Sequence, residues 1–186
     1  TLSTVPALSR RLRDLYGARV EALPTATRRL LLLAALEGTG ELCVLQAAAG
    51  KDILGDLTSA GRAHLVHIDD RSPGRLAFRH PLVRTAAYES QLKAGRAELH
   101  RRVATVIEQR DPASDQNAAL IAEHLEAAGD SRAAYGWHMR AAAWSNHRDR
   151  SAARASWQRA RQVADRLPGD DPDRLRMQIE PRTRLC

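Results

Sequence analysis

The tetrapeptide Ala49-Gly50-Lys51-Asp52 is the first place where residue types and spacing suggest chemistry, because Gly-Lys before a helix ends a phosphate-binding loop. Such a loop needs a glycine five residues before Gly50 and a serine or threonine directly after the lysine. Leu45 and Asp52 occupy those two positions, and the aspartate would face an anionic phosphate. The tetrapeptide therefore predicts no phosphate site.

The acidic motif from Leu65 to Asp70 has the apolar strand and acidic end of a Walker B segment. Without a phosphate loop upstream, we interpret it as a strand followed by a turn.

The spacing of the histidines predicts neither a metal site nor a catalytic general base. His64 and His67 point to opposite faces of the predicted strand. His80 and His100 have no catalytic partner at a meaningful spacing, so we interpret them as packing residues. Three later histidines lack HExxH spacing and cysteine partners, which argues against zinc. They are His124, His138 and His147.

Three tryptophans, Trp137, Trp144 and Trp157, recur at helical spacing near arginines. They could stack on bases, but such a stripe in paired helices favours core packing. With no catalytic constellation in the chain, we expect that this segment is not an enzyme.

The elements before residue 80 predict three helices followed by a β-hairpin, after a first helix at 7–21. The apolar run opened by Thr25 predicts a buried helix that ends at Gly38. β-Branched and apolar residues flank a turn rich in Asp, Ser, Pro and Gly, which indicates two strands. The remaining predicted elements are helices at 41–49 and 52–60, with Ile53, Leu54 and Leu57 facing inward, and strands at 64–68 and 75–79.

From Leu76 to Arg110 the pattern predicts a strand end and then two helices. Pro81 suits the first turn of a helix and disfavours helix at His80. Gly95 is predicted to interrupt the chain before the second helix, which Asp111-Pro112 ends.

Three amphipathic helices are predicted after residue 113. They run over 117–128, from a Ser131 cap to about Asn146, and from an Asp149 cap to Leu167. Paired helices with alanine at close-contact positions resemble tetratricopeptide repeats. Since such repeats need neighbours, we predict that the array is cut short after Asp173.

Two stretches carry a family resemblance: FRHPLVRTAAYESQL from Phe78 and RAELHRRVATVIE from Arg96. They resemble the region after the ATPase module in large LuxR-type bacterial ATP-binding regulators, the MalT-like STAND group. They resemble equally the matching part of actinobacterial multidomain class III nucleotide cyclases. The shared features are Phe78-Arg79-His80, Tyr88 and Leu99-His100-Arg101-Arg102, and the similarity extends from Leu23 to Cys186.

The resemblance implies a mostly α chain with a winged-helix-like module, a small β-hairpin and TPR-like antiparallel helical hairpins. We predict four segments. They are a linker helix at 1–22, the winged-helix-like module at 23–80, a connecting helix pair at 81–112 and truncated TPR-like repeats at 113–186.

The implied function is a non-catalytic regulatory segment that couples an ATPase core to the sensing of a partner or inducer. Arg79, His80 and Arg84 are the candidate contacts to that core. We expect no cofactor in this segment, with ATP and magnesium in the parent's ATPase domain. Expected partners are the parent's own ATPase core, further repeats, a protein or small-molecule inducer on the repeats, DNA through a separate domain, and a second copy in a homodimer.

The alternative is direct DNA binding by the winged helix, with Arg62, Arg71 and Arg75 as contacts. Its support is a net charge of +7 from 29 basic residues. Because 27 of these are arginine (29 less Lys51 and Lys93) and are spread along the chain, a high-GC genome explains the excess without a ligand.

Composition also bounds the location of the chain. Its apolar fraction of 44% contains only 4% aromatic residues, which favours closely packed helices over a sheet sandwich. Cys43 and Cys186 imply no disulfide framework. No secretory segment is visible and no apolar run approaches about 18 residues, so we expect a cytoplasmic protein without membrane contact.

Overall fold

The computed structural model describes residues 4–90 and 93–185. Within them the chain is mostly helical, with ten helices and one small antiparallel sheet, which confirms the predicted mostly α class. The outer ends of predicted segments 1–22 and 113–186, at residues 1–3 and 186, lie outside the described residues. The elements in chain order are α1 (Thr4–Glu21), α2 (Thr25–Glu37), α3 (Leu42–Ala49), α4 (Leu54–Arg62), β1 (Val66–Ile68), β2 (Leu76–Phe78), α5 (Pro81–Glu89), α6 (Lys93–Arg110), α7 (Ala118–Ala127), α8 (Ser131–Ser145), α9 (Arg150–Asp165) and α10 (Arg174–Leu185).

The chain forms two compact units, Thr1–Leu99 and His100–Cys186. The division falls inside α6. No described helix combines the length and the hydropathy that crossing a membrane requires.

Helix α2 is the centre of the first unit. All its residues from Leu30 to Glu37 are buried, because it packs against α3, α4 and α5. A helix that is apolar on every side is stable only when neighbours surround it. The predicted stops at Gly38 and Gly50 are confirmed, since both glycines adopt the left-handed conformation after α2 and α3.

The predicted hairpin is confirmed, with Val66 paired to Phe78 and Ile68 paired to Leu76. Its first strand begins later than predicted. His64 has φ +53° and belongs to the end of α4, where the Leu65 amide donates to the Ala60 carbonyl at 3.2 Å.

Two predictions about helix positions were wrong. Helix α4 begins at Leu54 and not at Asp52, whose carboxylate accepts from the Leu54 amide at 3.1 Å. Leu54 is therefore 66% exposed and does not face inward. Gly95 interrupts no helix, because it lies inside the first turn of α6, where a glycine costs only about 1 kcal/mol.

The second unit is built from helices packed in sequence, α7 on α8, α8 on α9 and α9 on α10. Small alanines let α8 and α9 approach closely. Its core contains Ala134, Tyr135, Ala160, Val163, Ala164, Leu167 and Met177.

Of the two helix caps predicted in this unit, one is confirmed and one was wrong. Asp149 caps α9, as predicted, by accepting from the Ser151 and Ala152 amides. Asp130, and not Ser131, caps α8 by accepting from the Ala133 amide at 3.1 Å.

Candidate functional site

The predicted contact residues Arg79, His80 and Arg84 surround the N-terminus of α5. Arg79 is exposed, and its side chain makes no hydrogen bond or ion pair within the described residues. His80 caps α5, because its Nδ1 accepts from the Leu82 amide at 3.1 Å. Its ring also stacks on Tyr16 with centroids 5.2 Å apart. His80 thus has an internal role, which agrees with its interpretation as a packing residue.

Arg84 also makes an internal contact. Its Nε and Nη2 atoms donate to the Ala35 carbonyl oxygen at 3.1 and 3.0 Å. This bidentate contact ties α5 to the last turn of α2. Of the three predicted contacts to an ATPase core, only Arg79 presents a guanidinium that has no partner within the described residues.

The predicted DNA contacts differ in their availability. Arg62 and Arg71 are exposed, without a side-chain ion pair in the part of the chain that the structure describes. Arg75 pairs with Glu41 at 3.1 Å, so its charge is partly neutralised.

The surface of α4 is mixed in charge. Lys51 pairs with Asp56 at 2.7 Å, and Asp56 also accepts from the Thr27 hydroxyl at 3.0 Å. Asp52 is exposed beside them. A helix that reads base edges offers donors to DNA, whereas this surface presents carboxylates.

Sequence reasoning missed a polar groove in the second unit. A cavity of about 410 Å³ adjoins one of about 450 Å³, and Asn146, His147, Trp157 and Arg184 line both. Arg150 and Arg154 line the first cavity as well. The groove is formed by the end of α8, the first two turns of α9 and the end of α10. We call these six residues the arginine groove.

The spacing of part of this groove could have been found in the sequence. Arg150, Arg154 and Trp157 stand at i, i+4 and i+7 of α9, which places them on one helix face. Arg184 could not have been found, since it comes from another helix and joins the face only through packing.

The tryptophans are less buried than predicted. Trp137, Trp144 and Trp157 are all half-buried, and none belongs to the core. The Arg140 guanidinium lies 3.8 Å from the Trp137 ring centroid, and Arg148 lies 4.7 Å from that of Trp144. The three rings lie outside the core of the second unit, in which several residues are alanine.

Buried histidines form a polar cluster behind the helices of this unit. His100 and His124 join α6 to α7 through their Nδ1 atoms, 2.9 Å apart. Because one nitrogen must donate and the other accept, at least one ring is neutral. Burial, together with the charge of His100, lowers the pKa of His124 to about 4.

A third buried histidine, His138, joins α8 to α7. His138 Nε2 lies 3.3 Å from Glu126 Oε2, and burial lowers the pKa of His138. Burial acts to raise the pKa of Glu126, but its hydrogen bonds to Arg166 and His138 and the nearby Arg159 lower it overall. The contacts of these buried histidines are structural and link α6, α7 and α8.

The described residues contain no group of three or more His, Cys, Asp or Glu side chains placed to hold a metal ion. Cys43 is an exposed free thiol, and Cys186 lies outside the described residues. Comparison of the chain with family models, curated proteins and solved structures finds no match.

Proposed function

We propose that the chain is a non-catalytic regulatory and interaction segment of a multidomain ATP-dependent bacterial protein, a LuxR-type transcription regulator or a nucleotide cyclase. The observation that carries this proposal is the order of elements around the resembling stretch. After α1, helices α2 to α4 lead into a hairpin whose second strand ends at Phe78, and successive packed helices follow α6. We infer that α2 to α4 and the hairpin form a winged-helix-like module, and that α7 to α10 form two TPR-like hairpins.

Such a segment regulates by exchanging one interdomain packing for another. A coupling of a few kcal/mol is enough to change which state an ATPase core occupies. Arg79 is the residue that supports this role best, because it is exposed beside the N-terminus of α5 and has no partner in the part of the chain that the structure describes.

The test is Arg79→Glu in the full-length protein. We expect ATP turnover to change at least threefold, because an interdomain contact of the guanidinium would become repulsive. The thermal unfolding of the 186-residue chain should stay unchanged. Arg29→Glu, an equal charge change at an exposed position of α2, is the control. Equal turnover in the wild type and the Arg79 variant would contradict the proposal.

DNA binding by the first unit is the second candidate, because Arg62 and Arg71 are exposed cations without an ion pair in the described residues. The measurement is fluorescence anisotropy of the chain with a random-sequence duplex across a salt series. Tight binding near physiological salt, with a slope that reports several released counterions, would favour DNA binding. Weak binding that disappears there would favour the regulatory role.

A further inference from the structure

The first cavity of the arginine groove gathers positive charge without a carboxylate among the described residues that line it. Arg150, Arg154 and Arg184 form no ion pair or hydrogen bond within the described residues, and no acidic side chain lines the first cavity. Two other arginines of this unit are paired with carboxylates. Arg132 pairs with Asp171 at 2.7 Å, and Arg140 donates to Asp115 at 2.8 Å.

The placement of these charges is unfavourable for the helix itself. Arg150 and Arg154 are separated by one turn of α9, and like charges at that spacing destabilise a helix. Arg184 of α10 adds a third positive charge to the same cavity. An anion bound there would remove this repulsion, and guanidinium groups bind phosphate through paired, charge-assisted hydrogen bonds.

The groove also has a flat apolar wall. The Trp157 indole lines both cavities and is half-buried, so one part of it remains available. Aromatic rings of ligands stack on such a surface. Asn146 and His147 add hydrogen-bonding groups beside it.

We propose that the arginine groove binds a nucleoside diphosphate, with the diphosphate on Arg150, Arg154 and Arg184 and the base on Trp157. This rests on the regulatory role proposed above and specifies the chemical class of the inducer. Cavities of about 410 and 450 Å³ fall in the range of small-molecule sites. Three guanidinium groups around one cavity suit concentrated charge, whereas an acidic peptide or a nucleic acid would spread its charge along a track.

The second cavity determines the direction in which the ligand lies in the groove. Glu180 lines it and accepts a hydrogen bond from the Tyr135 hydroxyl at 3.1 Å. Burial, and then this hydrogen bond, raise the pKa of Tyr135. The carboxylate disfavours phosphate on that side. The diphosphate therefore lies in the first cavity, and the sugar and base extend along Trp157 toward Glu180.

The experiment is calorimetric titration of the 186-residue chain with ADP, inorganic pyrophosphate and adenosine at physiological salt. We expect ADP to bind at least tenfold more tightly than pyrophosphate, because only ADP contacts both the arginines and the indole. Adenosine should give no measurable heat. ADP that binds no better than pyrophosphate, or that fails to bind at about 1 mM, would overturn the proposal.

Variants locate the site. Arg154→Glu should lower the affinity for ADP at least tenfold. Trp157→Leu should lower the affinity for ADP to that for pyrophosphate, and should leave the affinity for pyrophosphate unchanged. Arg29→Glu controls for net charge, and equal weakening by this change would overturn the proposal. If Arg154→Glu unfolds the chain, Arg154→Gln replaces it, with a smaller loss expected and unchanged affinity as the contrary result.

This experiment is independent of the Arg79 test. Failure of ADP binding together with an effect of Arg79→Glu on turnover would reject the ligand alone. Binding of ADP without an effect of Arg79→Glu would reject the regulatory role and leave the groove as a binding site.

Discussion

Gly40 lies where the backbone after α2 passes directly against β2. Its φ is +73°, and a Cβ added there would lie 2.1 Å from the Leu76 carbonyl oxygen. We expect Gly40→Ala to lower the free energy of unfolding by about 3 kcal/mol, because left-handed strain and overpacking add together. Chemical denaturation measures this loss.

Gly50 provides the matched control for Gly40. It has φ +67°, but nothing lies within 4 Å of an added Cβ. Gly50→Ala should therefore cost about 1 kcal/mol, from backbone strain alone. Equal losses in the two variants would show that Leu76 yields easily.

His64 is the only non-glycine residue with positive φ among the described residues, at +53°. We expect His64→Gly to stabilise the chain by about 0.5 to 1 kcal/mol, because relief of left-handed strain exceeds the added entropy of the unfolded chain. Thermal unfolding measures the gain. His67→Gly, at an exposed position of β1, should instead destabilise. A loss of stability in both variants would contradict this account.

These three positions also show how far the sequence predicts the backbone. Gly50 follows an apolar helical run, so its left-handed cap could be predicted locally. Gly40 could not, because its constraint comes from Leu76, far along the chain. His64 could not either, since the pattern from His64 to Ile68 is typical of a strand.

Among the elements, α8 depends on a cap that the sequence assigned one residue too late. Asp130→Ala should destabilise the second unit by about 1 kcal/mol, because the Ala133 amide loses its acceptor. Ser131→Ala should change little. Urea unfolding of both variants decides between the two residues, and a larger loss from Ser131→Ala would restore the sequence prediction.

The contact between α5 and α2 gives a second prediction for the elements. Arg84→Ala should cost about 1 kcal/mol, because the Ala35 carbonyl loses two charged donors. Arg79→Ala should leave the melting temperature unchanged. A loss confined to Arg84→Ala would show that Arg84 is part of the internal structure, whereas Arg79 belongs to the surface.

Most elements followed from local signals, and the errors have identifiable causes. Pro81 and the alternating apolar residues of the hairpin act locally, so α5 and the strands were predicted. Gly95 was misread because one glycine in a first helical turn is affordable. The groove escaped prediction because Arg184 reaches it from a different helix than Arg150 does.

At the scale of the whole molecule, stability should fall as the solution is acidified. His124 has a folded pKa of about 4 against an ordinary value of 6.5. Between these two pKa values the unfolded chain binds more protons than the folded chain does. The contribution of His124 to the free energy of unfolding is therefore present above pH 6.5 and is lost as the pH falls toward 4. The loss reaches about 1.4 kcal/mol per pH unit for one proton.

Urea titrations between pH 7.5 and 4.5 measure this slope. His124→Gln should reduce it without abolishing it, because burial also lowers the pKa of His138. The lowered pKa of Glu126 adds to the slope only at the acid end of that range, near its ordinary value of 4.5. An unchanged slope in His124→Gln would exclude His124 as its source.

The close approach at Gly40 determines how the first unit opens. The Leu76 amide donates to the Gly40 carbonyl at 2.8 Å, and the Leu42 amide donates to the Gly74 carbonyl at 2.9 Å. These bonds and the bridge between Glu41 and Arg75 tie residues 40–42 to a hairpin that would be marginal with two short strands. Neither residues 40–42 nor the hairpin can therefore open without the other. The amides of Leu42 and Leu76 should therefore exchange their hydrogens with solvent at one common rate, as parts of a single cooperative unit.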